Sequence, residues 1–220
     1  MFINGSLKNL NSSNIDDLSE IIFSKGSSFL SKPALFLDRD GVLIKDCHYI
    51  SKEEQVILEQ FAGELVRYAF ESDWLVVVVS NQSGISRGIF TWDDYYKITK
   101  RMLSLFGNPN PFHAIYANSQ GPHSILRNWR KPSPEMIIRA SKVLNIDINK
   151  SIIVGDRLTD IIAGIDSGIK ILVHTRTGHG IKENKKLNDF IKQNSTRKDL
   201  KFIKIKNLSQ FPLKYFSKLY

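Results

Sequence analysis

Two aspartates one residue apart, Asp38 and Asp40, follow the apolar run Ala34-Leu35-Phe36-Leu37 and precede Gly41. A run of this kind, cut off by acid and glycine, predicts a buried parallel strand ending in an acidic turn. Open α/β sheets keep their chemistry at such strand ends. A carboxylate pair there can bind Mg²⁺, and an aspartate screened by metal can attack phosphorus. A calcium loop fits poorly, because an EF-hand carries its glycine at the sixth position and Gly41 is fourth counting from Asp38. A plain solvated turn stays open for this stretch read alone.

Three further stretches carry the same kind of residue. Leu75 to Val79 is an aliphatic run that stops at Ser80, followed by Asn81-Gln82-Ser83-Gly84-Ile85 and by Arg87-Gly88. A hydroxyl, amides and backbone N–H groups beside the first strand's end make a cradle for phosphate oxygens; a serine-capped turn is the plainer alternative. In Arg130-Lys131-Pro132-Ser133-Pro134 the serine is a good N-cap and Pro134 a good first helical residue, so the two cations lie in the loop before a helix. They can neutralise a phosphoryl group or simply be solvated. Ser151 to Val154 again ends in acid, Gly155-Asp156, with Asp160 one helical turn further on the same side. Asp156 is placed to complete a Mg²⁺ site that a strand-end pair leaves half filled; helix-dipole preference for acid is the alternative.

The elements that must position these residues are legible as an alternation. Strands are predicted at 34–37, 74–79, 113–117, 151–154, 170–173 and 201–205, and helices at about 53–71, 92–106, 134–144, 158–166 and 183–193. This predicts an α/β fold, a doubly wound, Rossmann-like and mainly parallel sheet with helices on both faces. No cap domain fits between the motifs, so loops 45–51 and 118–130 must close the mouth of the site. Residues 1–32, with an amphipathic run from Ile15 to Phe23, predict an appended helix and linker, and residues 33–220 one catalytic domain.

The formal charge of +9 over 220 residues is concentrated in the basic C-terminal segment 181–220, which holds 11 Lys and Arg against 3 Asp and Glu. The first 180 residues are nearly neutral, with 20 basic and 19 acidic side chains. A solvated face explains this better than a nucleic-acid partner, for which no interleaved aromatic platform exists. One cysteine, Cys47, excludes an internal disulfide and a cysteine-rich zinc cage within the chain. A reducing cytoplasm fits, and no signal-peptide order or membrane-length apolar run occurs.

The strings DRDG at 38–41, NQSGI at 81–85 with RG at 87–88, RKP at 130–132 and VGD at 154–156 stand in an order that resembles the haloacid dehalogenase-like phosphohydrolases. Within them the chain is similar to the D-glycero-D-manno-heptose 1,7-bisphosphate phosphatase and histidinol-phosphate phosphatase group, from about Ala34 to Gly178 and weakly to Pro212. The resemblance implies Asp38 as nucleophile, Asp40 as general acid and base, Ser80 as phosphate ligand and Lys131 as charge stabiliser. It also implies Mg²⁺ held by Asp38, the Asp40 backbone carbonyl and Asp156.

Arg130 would then touch the substrate, with Asn81, Arg87 and Arg157 as further contacts. The implied substrate is a small phosphorylated sugar, most plausibly a heptose bisphosphate on a route to surface polysaccharide, handled in the cytoplasm with no membrane partner and with a monomer favoured. Histidinol phosphate or a nucleic-acid 3′ end is the second reading, and a silent phosphate-binding scaffold the third. Many relatives carry zinc-binding cysteines before the RKP string; here that region reads Ala117-Asn118-Ser119 and Arg127-Asn128-Trp129, so no zinc is expected.

Overall fold

In the computed structural model, which describes residues 13–15, 17–23, 30–122 and 129–216, the strands are β1 (Ser13–Ile15), β2 (Leu18–Ile22), β3 (Ala34–Leu37), β4 (Leu75–Asn81), β5 (Ala114–Asn118), β6 (Ile152–Gly155), β7 (Ile171–Thr175) and β8 (Lys201–Ile205). They form one sheet in the order β1-β2-β5-β4-β3-β6-β7-β8. All neighbours from β5 to β8 are parallel, and β1 and β2 run antiparallel on the β5 side. After β1 and β2 the chain crosses to the centre with β3, steps outward through β4 and β5, then crosses back to β6. The carboxyl ends of β3, β4 and β6 therefore gather where the winding reverses, and a crevice opens there.

The helices are α1 (Ala62–Glu71), α2 (Trp92–Phe106), α3 (Glu135–Leu144), α4 (Leu158–Ser167) and α5 (Gly180–Gln193). The strand period of two sorts the central residues between two cores. Leu35, Leu37, Val76 and Val78 pack with α1 and α2, whereas Ala34, Phe36, Val77 and Val79 pack with α3, α4 and α5. Both faces are covered, so β3 and β4 are apolar without alternation. Phe36 is fully buried, and truncating it to alanine would cost about 3–5 kcal/mol.

Two expected elements form differently. The run from Ile15 to Phe23 is not helical: Leu18–Ile22 is strand β2, paired from Leu18↔Asn118 to Ile22↔Ala114. The open edge of β5 offers a full ladder of backbone partners, and both faces of β2 find core, Leu18 on one and Ile21 on the other. Those long-range partners outweigh a local helical period. The helix expected over 53–71 splits into a 3-10 turn at Glu53–Gln55 and α1. Between them the backbone is committed elsewhere: Lys45 N–H donates to Ile57 O at 2.8 Å and Glu59 N–H to Leu43 O at 2.9 Å. No helix among the described residues is long and apolar enough to cross a membrane.

Candidate active site

Each acidic turn sits where its strand ends. Asp38 follows β3 and is anchored by its N–H donating to Val154 O at 3.0 Å. Asp156 follows β6, next to β3, and Asp160 lies in the first turn of α4. All three are buried, and their carboxylate oxygens lie within 4.8 Å of one another. Lys131, 3 % exposed, answers part of this charge. Its Nζ donates to Asp38 Oδ1 at 2.9 Å and to Val79 O at 2.7 Å, and stands 2.7 Å from Asp160 Oδ1. Burial opposes the charge on Lys131, but Asp160 and Asp38 outweigh it and raise its pKa.

One lysine does not balance three carboxylates. Burial pushes Asp38 up to about 6, with Asp160 and Asp40 adding to the rise and Lys131 opposing it. Asp156 is pushed up to about 8, first by burial and then by Asp38 and Asp160. Its Oδ2 accepts from the His179 N–H at 2.6 Å, while its Oδ1 is buried with no hydrogen-bond partner. An unpartnered carboxylate oxygen in an acid cluster is what a hard divalent cation would satisfy, so the donor set fits Mg²⁺. Gly41 and Gly178, both at positive φ (82° and 51°), make room for this carboxylate: a Cβ on Gly41 would stand 2.6 Å from Asp156 Oδ2 and 2.9 Å from the Gly178 Cα.

The Asp40 carboxylate is held outside that cluster. Arg39 donates to both its oxygens at 3.0–3.1 Å, and Gln82 Nε2 donates to its Oδ2 at 2.8 Å. The same Nε2 lies 2.6 Å from Ser80 Oγ, and Arg39 closes the ring by donating to Gln82 Oε1 at 2.8 Å. Arg39 is itself buried against the Tyr95 ring, 5.3 Å from its centroid.

Asn81, expected against substrate, grips the Lys131 backbone: its Nδ2 donates to Lys131 O and its Oδ1 accepts from Lys131 N–H, each at 3.0 Å. The cleft over these groups has a volume of about 470 Å³ and is also lined by Arg87, Arg130 and Arg157. Arg130 is half-buried, and burial together with the nearby Arg157 and Arg87 lowers its pKa. Arg87 donates to the Tyr49 hydroxyl at 2.7 Å.

The sequence of the chain matches the haloacid dehalogenase-like hydrolase family over residues 38–174. The chain belongs to the haloacid dehalogenase-like hydrolases. It is 34 % identical over 177 residues, 80 % of this chain and 98 % of the relative, to D-glycero-alpha-D-manno-heptose-1,7-bisphosphate 7-phosphatase of Campylobacter jejuni. It is 37 % identical over 161 residues, 70 % of this chain and 88 % of the relative, to the corresponding beta-heptose enzyme of Pasteurella multocida. Among solved structures, a had-like phosphatase of Mesorhizobium loti superposes with a TM-score of 0.67 at 29 % identity, covering 82 % of this chain and 94 % of that one.

In this hydrolase, residues expected from four separate stretches do converge on one cleft. Asp38, Asp40, Asn81, Lys131, Arg87, Arg130 and Arg157 all line it; Ser80 and Asp156 are buried, Ser80 against Gln82 and Asp156 in the carboxylate cluster. Asp160, whose spacing alone marks it in the sequence, joins Asp38 and Asp156 as the third carboxylate of the cluster. Arg39 and Gln82 were not singled out. Arg39 lies inside the DRDG string and Gln82 inside NQSGI, but only the turn geometry shows that they link Asp40 to Ser80.

Loop 45–51 lines the mouth through Asp46, His48, Tyr49 and Ile50; of loop 118–130, Pro122 and Arg130 line it, and residues 123–128 lie outside the described residues. Gln120 ties the base of that loop: its Oε1 accepts from Trp129 N–H at 2.9 Å and its carbonyl from Arg130 at 3.1 Å.

Proposed function

We propose that this chain is a Mg²⁺-dependent phosphatase that removes the 7-phosphate of D-glycero-D-manno-heptose 1,7-bisphosphate. The observation that carries the reading is the buried cluster of Asp38, Asp156 and Asp160 around the Lys131 ammonium, at the reversal of the sheet and under three arginines. Relatives named for both anomers of this substrate support it. Mg²⁺, held by Asp38, Asp156 and the Asp40 carbonyl with Asp160 close by, would neutralise charge on the phosphoryl oxygens.

The chain's own groups perform the rest. An Asp38 oxygen attacks phosphorus as the bond to the sugar oxygen breaks, and Asp40 gives its proton to the leaving alkoxide. Water then attacks the phosphorus of the aspartyl-phosphate, Asp40 takes the water proton, and Asp38 is released with inorganic phosphate. Arg39 and Gln82 hold Asp40 in place for both proton transfers. Ser80 Oγ already accepts from Gln82, which leaves its own proton to donate to a phosphate oxygen. Lys131, fixed to Asp38 Oδ1, opposes the negative charge that gathers as phosphorus is attacked. The 1-phosphate is an anion suited to Arg87, Arg130 and Arg157. The reading places the enzyme in the cytoplasm as a monomer, and the single exposed, unpaired Cys47 agrees with a reducing compartment.

The test is turnover of a panel of phosphosugars, histidinol phosphate and 3′-phosphorylated oligonucleotides with Mg²⁺. The heptose 1,7-bisphosphate should give the highest kcat/KM, with phosphate released from position 7. Higher kcat/KM on any other member overturns the assignment. Asp38→Asn should fold and bind yet lose turnover; near-normal activity in that variant would exclude the covalent route.

A further inference from the structure

A second cluster of ligand-bearing side chains stands at the rim of the cleft and has no part in the chemistry above. Asp46 and His48 belong to the loop after β3, and His179 to the turn between β7 and α5. Their ligand atoms lie within 4.8 Å of one another, the other such group of three among the described residues besides the acidic triad. Asp46 Oδ2 is 2.7 Å from His179 Nε2, and Asp46 Oδ1 is 4.0 Å from His48 Nδ1. The two imidazole rings face each other nearly parallel, at 14° with centroids 6.1 Å apart. Three features hold this arrangement. Asp46 Oδ1 accepts from the His48 N–H at 3.0 Å, His48 and Tyr49 both adopt positive φ, 50° and 60°, and the His179 N–H is fixed on Asp156. Consecutive left-handed residues without glycine are uncommon and need such support.

Two imidazoles and one carboxylate are the wrong donors for Mg²⁺, which takes oxygen, and the right ones for Zn²⁺ and its neighbours. Ligand atoms around a tetrahedral ion with bonds of about 2.0–2.1 Å stand about 3.3–3.4 Å apart. The Asp46–His179 pair, now at 2.7 Å, would open by about 0.6 Å to admit an ion of this size, and His48, with its side chain 79 % exposed, is free to turn toward it. We propose that Asp46, His48 and His179 bind a transition-metal ion of the Zn²⁺ class. With three protein ligands, all lining the cleft, the ion keeps a fourth position for water or an anionic oxygen. Bound metal would tie loop 45–51 to the turn that carries His179, one hydrogen bond away from Asp156. The expectation that the protein carries no zinc rests on the cysteines lacking around loop 118–130; a site at Asp46, His48 and His179 departs from it, on residues outside that loop.

The proposal is independent of the phosphatase reading and is tested without turnover. Tag-free, EDTA-stripped full chain in saturating Mg²⁺, so that the acidic triad is covered, is titrated with Zn²⁺ by calorimetry and with Co²⁺ by visible absorption. One equivalent should bind, with the intense Co²⁺ bands of a four- or five-coordinate site, and Zn²⁺ should raise the thermal midpoint. His48→Ala and His179→Gln, the latter keeping the N–H that Asp156 uses, should each weaken Zn²⁺ at least about tenfold, with circular dichroism confirming the fold. No saturable Zn²⁺ binding, or binding equal in wild type and His48→Ala, overturns the site. Binding lost in Asp156→Asn but kept in both histidine variants would assign the metal to the acidic triad and overturn it equally.

Discussion

Asn81 clasps Lys131 from both sides, its amide nitrogen donating to the Lys131 carbonyl and its amide oxygen accepting from the Lys131 N–H, each at 3.0 Å. The end of β4 thereby fixes the backbone from which the Lys131 ammonium reaches Asp38. Asn81→Ala removes two hydrogen bonds at a partly buried junction and should lower stability by roughly 1–3 kcal/mol. If the clasp positions the ammonium, kcat falls by more than KM rises, on p-nitrophenyl phosphate as on sugar. A raised KM with unchanged kcat would return Asn81 to direct substrate contact.

The acidic triad makes the metal-free protein sensitive to pH. Asp38 and Asp156 titrate at about 6 and about 8 when folded, chiefly because they are buried, against about 3.9 in an unfolded chain. The folded state then holds more protons than the unfolded state, so stability falls as pH rises from about 4 to about 8. The contribution is fully present below pH 4. Thermal midpoints in EDTA should decline across this window, and Mg²⁺ should restore more stability at pH 8 than at pH 5. In Asp156→Asn much of both trends should vanish; an unchanged slope would show that other groups govern it.

Arg130 is the most confined of the three cleft arginines, half-buried and pressed by Arg157 and Arg87. An anion between these like charges would be favoured. Arg130→Ala should raise KM for the heptose 1,7-bisphosphate by about tenfold to a hundredfold, the equivalent of about 1.5–3 kcal/mol for a charge-assisted contact. The loss on p-nitrophenyl phosphate, which lacks a second phosphate, should be much smaller. Equal losses would mean that Arg130 serves the transferring group.

Strand β2, between β1 and β5, carries a partly buried ion pair. Glu20 is buried, and Arg139 of α3 donates to its two oxygens at 2.7 and 3.0 Å. Arg139→Ala takes a two-point contact from the buried carboxylate, but the arginine is 42 % exposed and water can partly replace it. The expected loss is on the order of 1–3 kcal/mol, less than for a pair buried on both sides. Chemical denaturation should report it with the active site intact. A variant as stable as wild type would mean that β2 is held by its ladder and apolar packing alone.

What the sequence determined by itself was the set of strand-end motifs, because each is local. An apolar run that stops at Asp38, at Ser80 or at Asp156 must place that residue at a strand's end, and alternation with helices then implies a doubly wound sheet. Tertiary structure decided whatever depends on partners distant in the chain. The run from Ile15 to Phe23 has the spacing of a helix, yet it pairs with β5 because the sheet offers an unfilled edge. Val56 to Leu58 leave the helical path because Leu43 and Lys45 claim the backbone of Ile57 and Glu59. The same holds in the site. Nothing in the spacing of Asp160 distinguishes a helix-dipole acid from a partner of Lys131, and nothing in Gln82 shows that one amide will bridge Ser80 and Asp40. Those roles arise only when β3, β4 and β6 come side by side, since a buried charge is neutralised by whatever the fold brings within about 3 Å of it.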